Sequence, residues 1–273
     1  MKSAIIGLLA ETSLHPGTEQ STGVVDMPVA RESFSGYPVI VGSSMKGALR
    51  DMAHRRKLVD EDEIFGKPDK AGAVAVTDAR LLLLPVRSMT GHYKWVTCPY
   101  ILERLQRDRI LAGMGGSLEI PRPDKEQAFS SGEENSIFLE ELSFKAVKGE
   151  LTKMVDVIKP LIPHKSVQER LNDQLVIIND DNFAYFAAYG LQVNARNQLN
   201  EITKTSMNLW YEETLPPDSL FYFLLISHSD KDNSLDKVKQ LFNECPYLQI
   251  GGNETVGQGW CAVAWPEKQG GNK

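Results

Sequence analysis

Residues 249–266, QIGGNETVGQGWCAVAWP, decide how the fold ends, because a glycine-rich polar loop runs directly into an apolar segment beginning at Trp260. The glycines of this loop are Gly251, Gly252, Gly257 and Gly259. A dinucleotide-binding glycine fingerprint opens a helix, whereas the segment WCAVAWP predicts a strand. Two interpretations therefore stay open. The loop is a structural turn, or it is a backbone surface that an extended polyanion approaches closely, because glycine has no side chain.

A second glycine motif, VIVGSSMKGALRD at residues 39–51, predicts the start of an amphipathic helix. Ser43 or Ser44 is the predicted cap, and the helix continues to about Lys57. The apolar face of this helix consists of Met45, Leu49, Met52 and Ala53. A Walker loop ends in Gly-Lys-Ser/Thr and this motif does not, so a nucleoside triphosphate is not indicated. The free N–H groups and hydroxyls at the helix start, with Lys46 one turn in, suit an anion. A capped helix without a ligand is the alternative.

The composition is that of an ordinary globular protein with a mildly acidic surface. The 273 residues are 42% hydrophobic and 24% charged, and the formal net charge of -6 argues against a surface coated in positive charge for nucleic acid. Positive charge is nevertheless concentrated at residues 43–57, and the following DEDE at 60–63 is wholly acidic. No run approaches the ~20 apolar residues of a membrane helix, so no membrane partner is expected. Three scattered cysteines without a CxxC pair indicate neither disulfides nor a zinc site, and they favour the cytoplasm.

The order of apolar and periodic segments predicts an α+β fold. The predicted elements are a strand at 3–12, a polar loop at 13–36, strands within 72–86, a helix at 97–109 capped by Thr97, a flexible insertion at 113–136, a strand at 137–147, a helix at 164–173, a helix and an extended segment within 181–200, two strands within 209–227 and a helix within 234–252. We expect a small antiparallel sheet with helices on one face, as in a ferredoxin-like core with large insertions.

The two glycine motifs together resemble one protein family. VIVGSSMKGALRD combined with GGNETVGQGW is similar to the RAMP superfamily of CRISPR systems. Residues 15–32 (HPGTEQSTGVVDMPVARE), 64–99 and 209–221 (LWYEETLPPDSLF) resemble the backbone subunit of type III-B effector complexes. The resemblance implies a single RAMP domain over residues 1–273 with an RRM-like palm. It also implies helical fingers inserted at about 95–175 and a β-hairpin thumb at about 190–215.

The resemblance also implies an activity. Such subunits stack in several copies along a guide crRNA, together with other subunits of the complex, and cleave complementary single-stranded target RNA at regular intervals. Cleavage requires a divalent metal, with magnesium expected and manganese as the alternative. Asp26 in GVVDMP matches the critical acid, as a base or as a metal ligand, and His15 matches an accessory position. A further accessory acid is Glu212 or Glu213, between which the resemblance does not choose.

We expect RNA to be contacted mainly through its backbone, because no K/R-G-F/Y strand motif for stacking bases is present. The candidate RNA-binding residues are Gly42, Ser43, Ser44, Lys46, Arg50, Arg196, Gly252, Asn253, Thr255, Gly257, Gln258 and Gly259. Glu254 would repel phosphates, so we expect it to point away from RNA or to pair with a basic residue. His15 before Pro16 could equally be a solvent-exposed loop residue, and isolated loop aspartates such as Asp26 are commonly turn formers.

Three alternatives to a target-cleaving backbone subunit stay open. The first is a module of the same fold that coats guide RNA without catalysis. The second is a guide-processing RAMP endoribonuclease, which usually has two ferredoxin-like units, whereas each end motif occurs here once. The third is a metabolic α+β enzyme with a phosphate-bearing substrate, which would have no affinity for long RNA.

Overall fold

The computed structural model describes residues 2–17, 23–89, 91–228 and 233–267. The strands are β1 Ser3–Ala10, β2 Val39–Ile40, β3 Val74–Val76, β4 Ala79–Arg87, β5 Tyr93–Thr97, β6 Gln127–Ser130, β7 Ser136–Leu139, β8 Leu142–Lys148, β9 Leu175–Ile178, β10 Gln192–Leu199, β11 Ser206–Thr214, β12 Leu220–Ser227, β13 Tyr247–Gln249 and β14 Trp260–Ala264. The helices are α1 Gly42–Arg55, α2 Glu61–Phe65, α3 Pro99–Leu111, α4 Thr152–Ile158, α5 Lys165–Gln174, α6 Asp180–Tyr189 and α7 Ser234–Gln240. None of the helices in these ranges is long and apolar enough to cross a membrane.

One mixed sheet forms the core of the molecule. Its strand order is β13-β14-β1-β12-β4-β5-β9-β6-β8-β7, with β2 beside β4 and β3 beside β12. β1 pairs antiparallel with both β12 and β14, so that Leu8 lies opposite Phe221 and Val263. All three side chains are buried, which explains why these strands are continuous apolar runs in the sequence. The expected α+β class is confirmed, but the sheet is larger than expected, and its β5–β9 and β6–β8 pairs are parallel.

The extra strands come from the segment that was expected to be a flexible insertion. β6 lies inside the predicted insertion at 113–136 and pairs with both β8 and β9. The single strand predicted at 137–147 is instead a hairpin of β7 and β8, which turns at Glu140 with a φ of 49°. Helix α4 was not predicted. QAFS was missed because it is a short segment whose strand pairing depends on distant partners. TKMVDVI was missed because a helix of 7 residues is too short to show a clear helical period.

The starts of two helices also differ from the prediction. α1 begins at Gly42 after Val41, and no serine side chain caps it. The Gly42 N–H instead donates at 2.7 Å to Oδ1 of Asp78, a residue in the turn between β3 and β4. α3 begins at Pro99, a residue type favoured at a first helical position, and Thr97 belongs to β5. The predicted apolar face of α1 is confirmed, since its four residues are the buried ones.

β10 and β11 form a separate two-stranded hairpin, which lies within the range predicted for the thumb. Val193 lies opposite Glu213, and Asn197 lies opposite Leu209. At the base of the hairpin, Leu215 exchanges backbone hydrogen bonds with Leu14 at 3.0 and 2.8 Å. The hairpin is therefore fixed to the sequence segment that carries His15.

Candidate nucleic-acid interface and active site

Asp26 is held against the base of the hairpin by β-type pairing. Met27 pairs in parallel with Glu212, its N–H donates to the Tyr211 carbonyl at 3.0 Å, and its carbonyl accepts from the Glu213 N–H at 3.0 Å. The Tyr211 N–H donates to Asp26 Oδ2 at 2.8 Å. Asp26 Oδ1 has no hydrogen-bond partner among the described residues, and the side chain is half-buried. The loop thus presents one carboxylate oxygen that is free to act on a ligand.

His15 is buried, with 3% of its surface exposed, so the alternative of a solvent-exposed loop histidine is wrong. Its Nδ1 lies 2.8 Å from the Glu213 carbonyl oxygen. A carbonyl only accepts hydrogen bonds, so Nδ1 carries a proton and donates it to Glu213. A Cβ at Gly17 would lie 2.8 Å from Nε2, so glycine at this position leaves room beside that nitrogen.

Glu212 and Glu213 point to opposite faces of β11 and differ in their partners. Glu213 accepts from the Val29 N–H at 3.0 Å and from Arg31 Nη2 at 2.7 Å. Glu212 accepts from Asn253 Nδ2 at 2.5 Å and lies 3.4 Å from Arg196 Nε. Both carboxylates are buried. Glu213 fixes the loop that carries Asp26, and Glu212 faces the glycine-rich loop.

The glycine-rich loop is built as a structural turn. A Cβ at Gly251 would lie 2.5 Å from the His15 carbonyl oxygen, and one at Gly259 would lie 2.1 Å from the Ile250 carbonyl oxygen. Both glycines also have positive φ, 88° and 83°. The Gly252 N–H donates to the His15 carbonyl at 2.9 Å. The loop therefore holds the segment of His15 in place.

The side chains of this loop are also largely used within the chain. Asn253 donates to Gln258 Oε1 at 3.0 Å as well as to Glu212. The Gly257 N–H donates to the Glu254 carbonyl at 3.1 Å, while Thr255 and Gly257 lie exposed at the surface. Glu254 lies 3.9 Å from Arg55, so the expectation that it pairs with a basic residue is confirmed.

Helix α1 presents two different exposed faces. Ser44, Gly47, Ala48, Asp51 and Arg55 follow helical spacing on one face, which lines a groove of about 550 Å³ opposite the glycine-rich loop. His15, Met27 and Gly252 also line this cavity, which we call the α1 groove.

The second face of α1 carries Lys46 and Arg50. Arg50 is bound by Glu61 at 2.9 Å and Asp62 at 3.0 Å, whereas Lys46 has no ion pair with the described residues. The expectation that the Gly42 N–H is free for an anion is wrong, because Asp78 accepts from it. Of the predicted RNA-binding residues, Ser44 and Gly252 line the α1 groove, Lys46 and Arg50 lie on the neighbouring helix face, and Arg196 lies on the β10–β11 hairpin.

The described residues contain no group of three His, Cys, Asp or Glu side chains that could hold a metal ion. Magnesium is commonly held by one or two protein carboxylates together with substrate phosphates. Asp26, with one free carboxylate oxygen, fits a site of that kind, in which RNA supplies most of the ligands.

Some residues of this region were not singled out in the sequence. Tyr211 positions Asp26 through its N–H, and Arg31 holds Glu213. Nothing in the sequence signals either role, because both depend on partners more than 150 residues away. Gly47 was identifiable from the sequence, because glycine destabilises the interior of a helix and its presence there indicates a specific role.

The fold and this site define a class of protein. The RAMP superfamily matches residues 8–262, and the chain belongs to that family. The chain is 39% identical to the "CRISPR system Cmr endoribonuclease Cmr4" of Pyrococcus furiosus, over 98% of the chain and 97% of that relative. It is 24% identical to a "CRISPR system CMR subunit Cmr4" of Saccharolobus solfataricus, over 94% of each chain. The crystal structure of oligomeric Cmr4 from Pyrococcus furiosus has the same fold, with a TM-score of 0.78 at 34% identity over 98% of both chains. The resemblance to the RAMP superfamily is confirmed.

Proposed function

We propose that the chain is a backbone subunit of a type III-B CRISPR ribonucleoprotein, which binds guide RNA in stacked copies and cleaves complementary target RNA. Two relatives support this proposal: the 39% identical relative is named a Cmr endoribonuclease, and the 34% identical relative has an oligomeric crystal structure. The observation that carries it is the convergence of Asp26 and His15 at the base of the hairpin, beside the α1 groove. The expected partners are further copies of the chain, guide RNA and other subunits of the complex.

The chemistry is attack of a ribose 2′-hydroxyl on the adjacent phosphate. The hydroxyl loses a proton, its oxygen bonds to phosphorus, and the 5′-oxygen of the next nucleotide leaves and takes up a proton. Asp26 Oδ1 is the group that accepts the proton or holds a divalent ion. A bound magnesium or manganese ion would lower the pKa of the hydroxyl and offset phosphate charge. His15 can supply a proton to the leaving oxygen only from Nε2, because its Nδ1 proton is donated to the Glu213 carbonyl.

Replacement of Asp26 tests the catalytic part of the proposal. In a complex reconstituted with guide and complementary target RNA, we expect Asp26→Asn to abolish cleavage at all regular sites together. Target affinity should stay within about fivefold, since the loss of one hydrogen bond to a ligand corresponds to ~1 kcal/mol. Asp156→Asn is the matched control, because Asp156 is exposed on α4. Chelation of divalent ions is expected to have the same effect as Asp26→Asn.

The outcomes separate the alternatives. Cleavage by Asp26→Asn with unchanged spacing would remove Asp26 from the chemistry. Guide binding by the native chain without any cleavage would favour a coating module. Cleavage of a hairpin precursor RNA outside an assembly would favour a guide-processing enzyme, and the absence of binding to long RNA would favour a metabolic enzyme.

A further inference from the structure

Arg31 joins three separate parts of the chain through one guanidinium group. Its Nη1 donates to the Gly36 carbonyl at 2.9 Å and to the Ala187 carbonyl at 2.6 Å, and its Nη2 donates to Glu213 Oε1 at 2.7 Å. Gly36 lies in the loop before β2, Ala187 in the last turn of α6, and Glu213 in β11. The last carbonyls of a helix have no partner within the helix and favour a cation, so Arg31 also suits the end of α6.

Glu213, the carboxylate that Arg31 binds, contacts the segments of both candidate catalytic residues. Its Oε2 accepts from the Val29 N–H at 3.0 Å, in the loop that carries Asp26. Its carbonyl accepts from His15 Nδ1 at 2.8 Å. A shift of the Glu213 side chain would therefore move the Asp26 loop, and a shift of the backbone at Glu213 would move the His15 ring.

Burial and charge make this arrangement depend on an arginine. Glu213 is 7% exposed, and Arg31 is the cation that forms an ion pair with it among the described residues. A buried carboxylate that loses its cation is strongly destabilised, so it would shift toward water or take up a proton. The guanidinium has two terminal nitrogens that point to acceptors on different elements, whereas lysine has one nitrogen. Arg31→Lys would therefore keep the charge but not all three contacts.

Arg31 itself lies outside the α1 groove. It lines a different cavity, of about 650 Å³, whose walls come from the loop at 31–34, from β2 and β4 and from α3. The Arg31 side chain is 24% exposed, so the place of its guanidinium is open to a small solute. Its two terminal nitrogens already donate to acceptors of the chain. These contacts indicate a role in holding the site together rather than in binding RNA.

We propose that Arg31 is a positioning residue for the cleavage of target RNA. It fixes the Glu213 carboxylate, and the contacts of Glu213 keep Asp26 and His15 where both reach one phosphodiester. Arg31 acts through Glu213 and touches neither the RNA nor the reacting atoms. A displacement of about 1 Å caused far from the chemistry can cost about 100-fold in rate, so a loss of this placement is measurable. This inference rests on the proposed function, since it assumes that Asp26 and His15 act in cleavage, and it adds the residue that sets their placement.

Arg31→Lys and Arg31→Ala in the complex reconstituted with guide RNA test the inference. At saturating target RNA, we expect the cleavage rate to fall about tenfold for Arg31→Lys and about 100-fold for Arg31→Ala. Target affinity should stay within about twofold, because Arg31 does not line the α1 groove. Arg87→Ala is the matched control, since Arg87 on β4 also binds both oxygens of a carboxylate, that of Glu140, and it should cleave like the native chain.

Added guanidinium separates positioning from a general loss of stability. At about 20 mM, far below the molar concentrations that unfold proteins, it can fill the space that Arg31→Ala leaves beside Glu213. We expect it to raise the cleavage rate of Arg31→Ala about tenfold, whereas sodium chloride at the same concentration should not, and Asp26→Asn should gain from neither. If Arg31→Ala does not assemble, Arg31→Lys still gives the comparison of rate with affinity.

Three results would overturn the inference. The first is a native cleavage rate for Arg31→Ala, and the second is a loss of target affinity as large as the loss of rate, which would place Arg31 in contact with RNA. The third is an Arg31→Ala complex whose rate guanidinium does not raise. Each leaves the proposed function standing, whereas a native complex that binds guide RNA and cleaves no target would overturn both.

Discussion

Lys46 and Arg50 lie one turn apart on α1, but their surroundings give them different roles. Two carboxylates of α2, from Glu61 and Asp62, bind the guanidinium of Arg50. Lys46 has no ion pair with the described residues, so its charge is available to a phosphate. Partly exposed ion pairs contribute about 0–1 kcal/mol each, so Arg50 adds little stability but has a largely neutralised charge.

Lys46→Ala is therefore expected to weaken guide RNA binding for all sequences alike. The slope of log affinity against log salt should become smaller by about one unit, because one phosphate contact is lost. Arg50→Ala should change the slope less. Fluorescence anisotropy across a salt series measures both variants, with exposed Lys153 on α4 replaced by alanine as the control. An unchanged slope for Lys46→Ala would mean that Lys46 touches no phosphate.

The contacts of single residues were predictable only where the partner was implied by local chemistry. The negative charge of Glu254 would repel a polyanion in this loop, and this predicted a basic partner. Arg55 is that partner. The bond from Gly42 to Asp78 joins residues 36 positions apart, and the bond from Tyr211 to Asp26 joins residues 185 positions apart. Such bonds depend on the order of strands in the sheet, which a single sequence does not specify.

The β10–β11 hairpin has one mainly apolar and one mainly polar face. Side chains that lie opposite each other across the strands share a face. Val193, Met207, Leu209 and Tyr211 line the apolar face and are all more than 40% exposed. Arg196 and Asn208 lie on the other face. An exposed apolar face of this kind indicates an interaction surface, and a further copy of the chain is the occupant that the proposed stacking requires.

Leu209→Ser is expected to reduce assembly along guide RNA without lowering the Tm, because Leu209 is 54% exposed in the single chain. Sedimentation with a guide-length RNA measures assembly. Asn208→Ser is the matched control on the polar face of the same strand, and it should assemble like the native chain. Unimpaired stacking of Leu209→Ser would remove the apolar face from the contact between copies.

Strands with long apolar runs were predictable, and short ones were not. The runs that became β1, β4 and β12 are buried on both faces, so composition alone identifies them. The four residues of β6 are stabilised by pairing with β8 and β9, which leaves no local signal. The residue patterns predicted only extended segments at β10 and β11, and the hairpin itself was expected from the family resemblance. Its identification as a thumb stays an expectation from the family.

The net charge of -6 and the acidic lining of the α1 groove mean that affinity for RNA cannot come from a broad positive surface. Local contacts must supply it, such as that of Lys46, which has no ion pair with the described residues. Repetition of these contacts along a stack then multiplies a weak affinity, since each further copy on the same RNA binds in an effectively intramolecular event. Single-chain affinity is accordingly expected to be modest and assembly to be strongly dependent on RNA length.

The three thiols provide a report on global unfolding that is independent of RNA. Burial raises the pKa of Cys261 to about 12, and burial also raises the pKa of Cys98 above its ordinary value. Cys245 is half-buried. In the unfolded chain all three approach the ordinary thiol pKa of about 8.5. At pH 8 we therefore expect the native chain to label rapidly at Cys245 only, and the denatured chain to label at all three cysteines.

The same pKa shifts have a consequence for stability. A thiol whose pKa is higher in the folded state favours folding below the unfolded pKa, and this contribution is lost as pH rises above about 8.5, where only the unfolded thiols ionise. We expect the Tm to fall between about pH 8.5 and 10, and the double variant Cys98→Ala, Cys261→Ala to lose part of that dependence. Cys245→Ser should retain all of it. Rapid labelling of Cys261 in the native chain would contradict its burial in β14 between β1 and β13, and with it the strand order at that edge of the sheet.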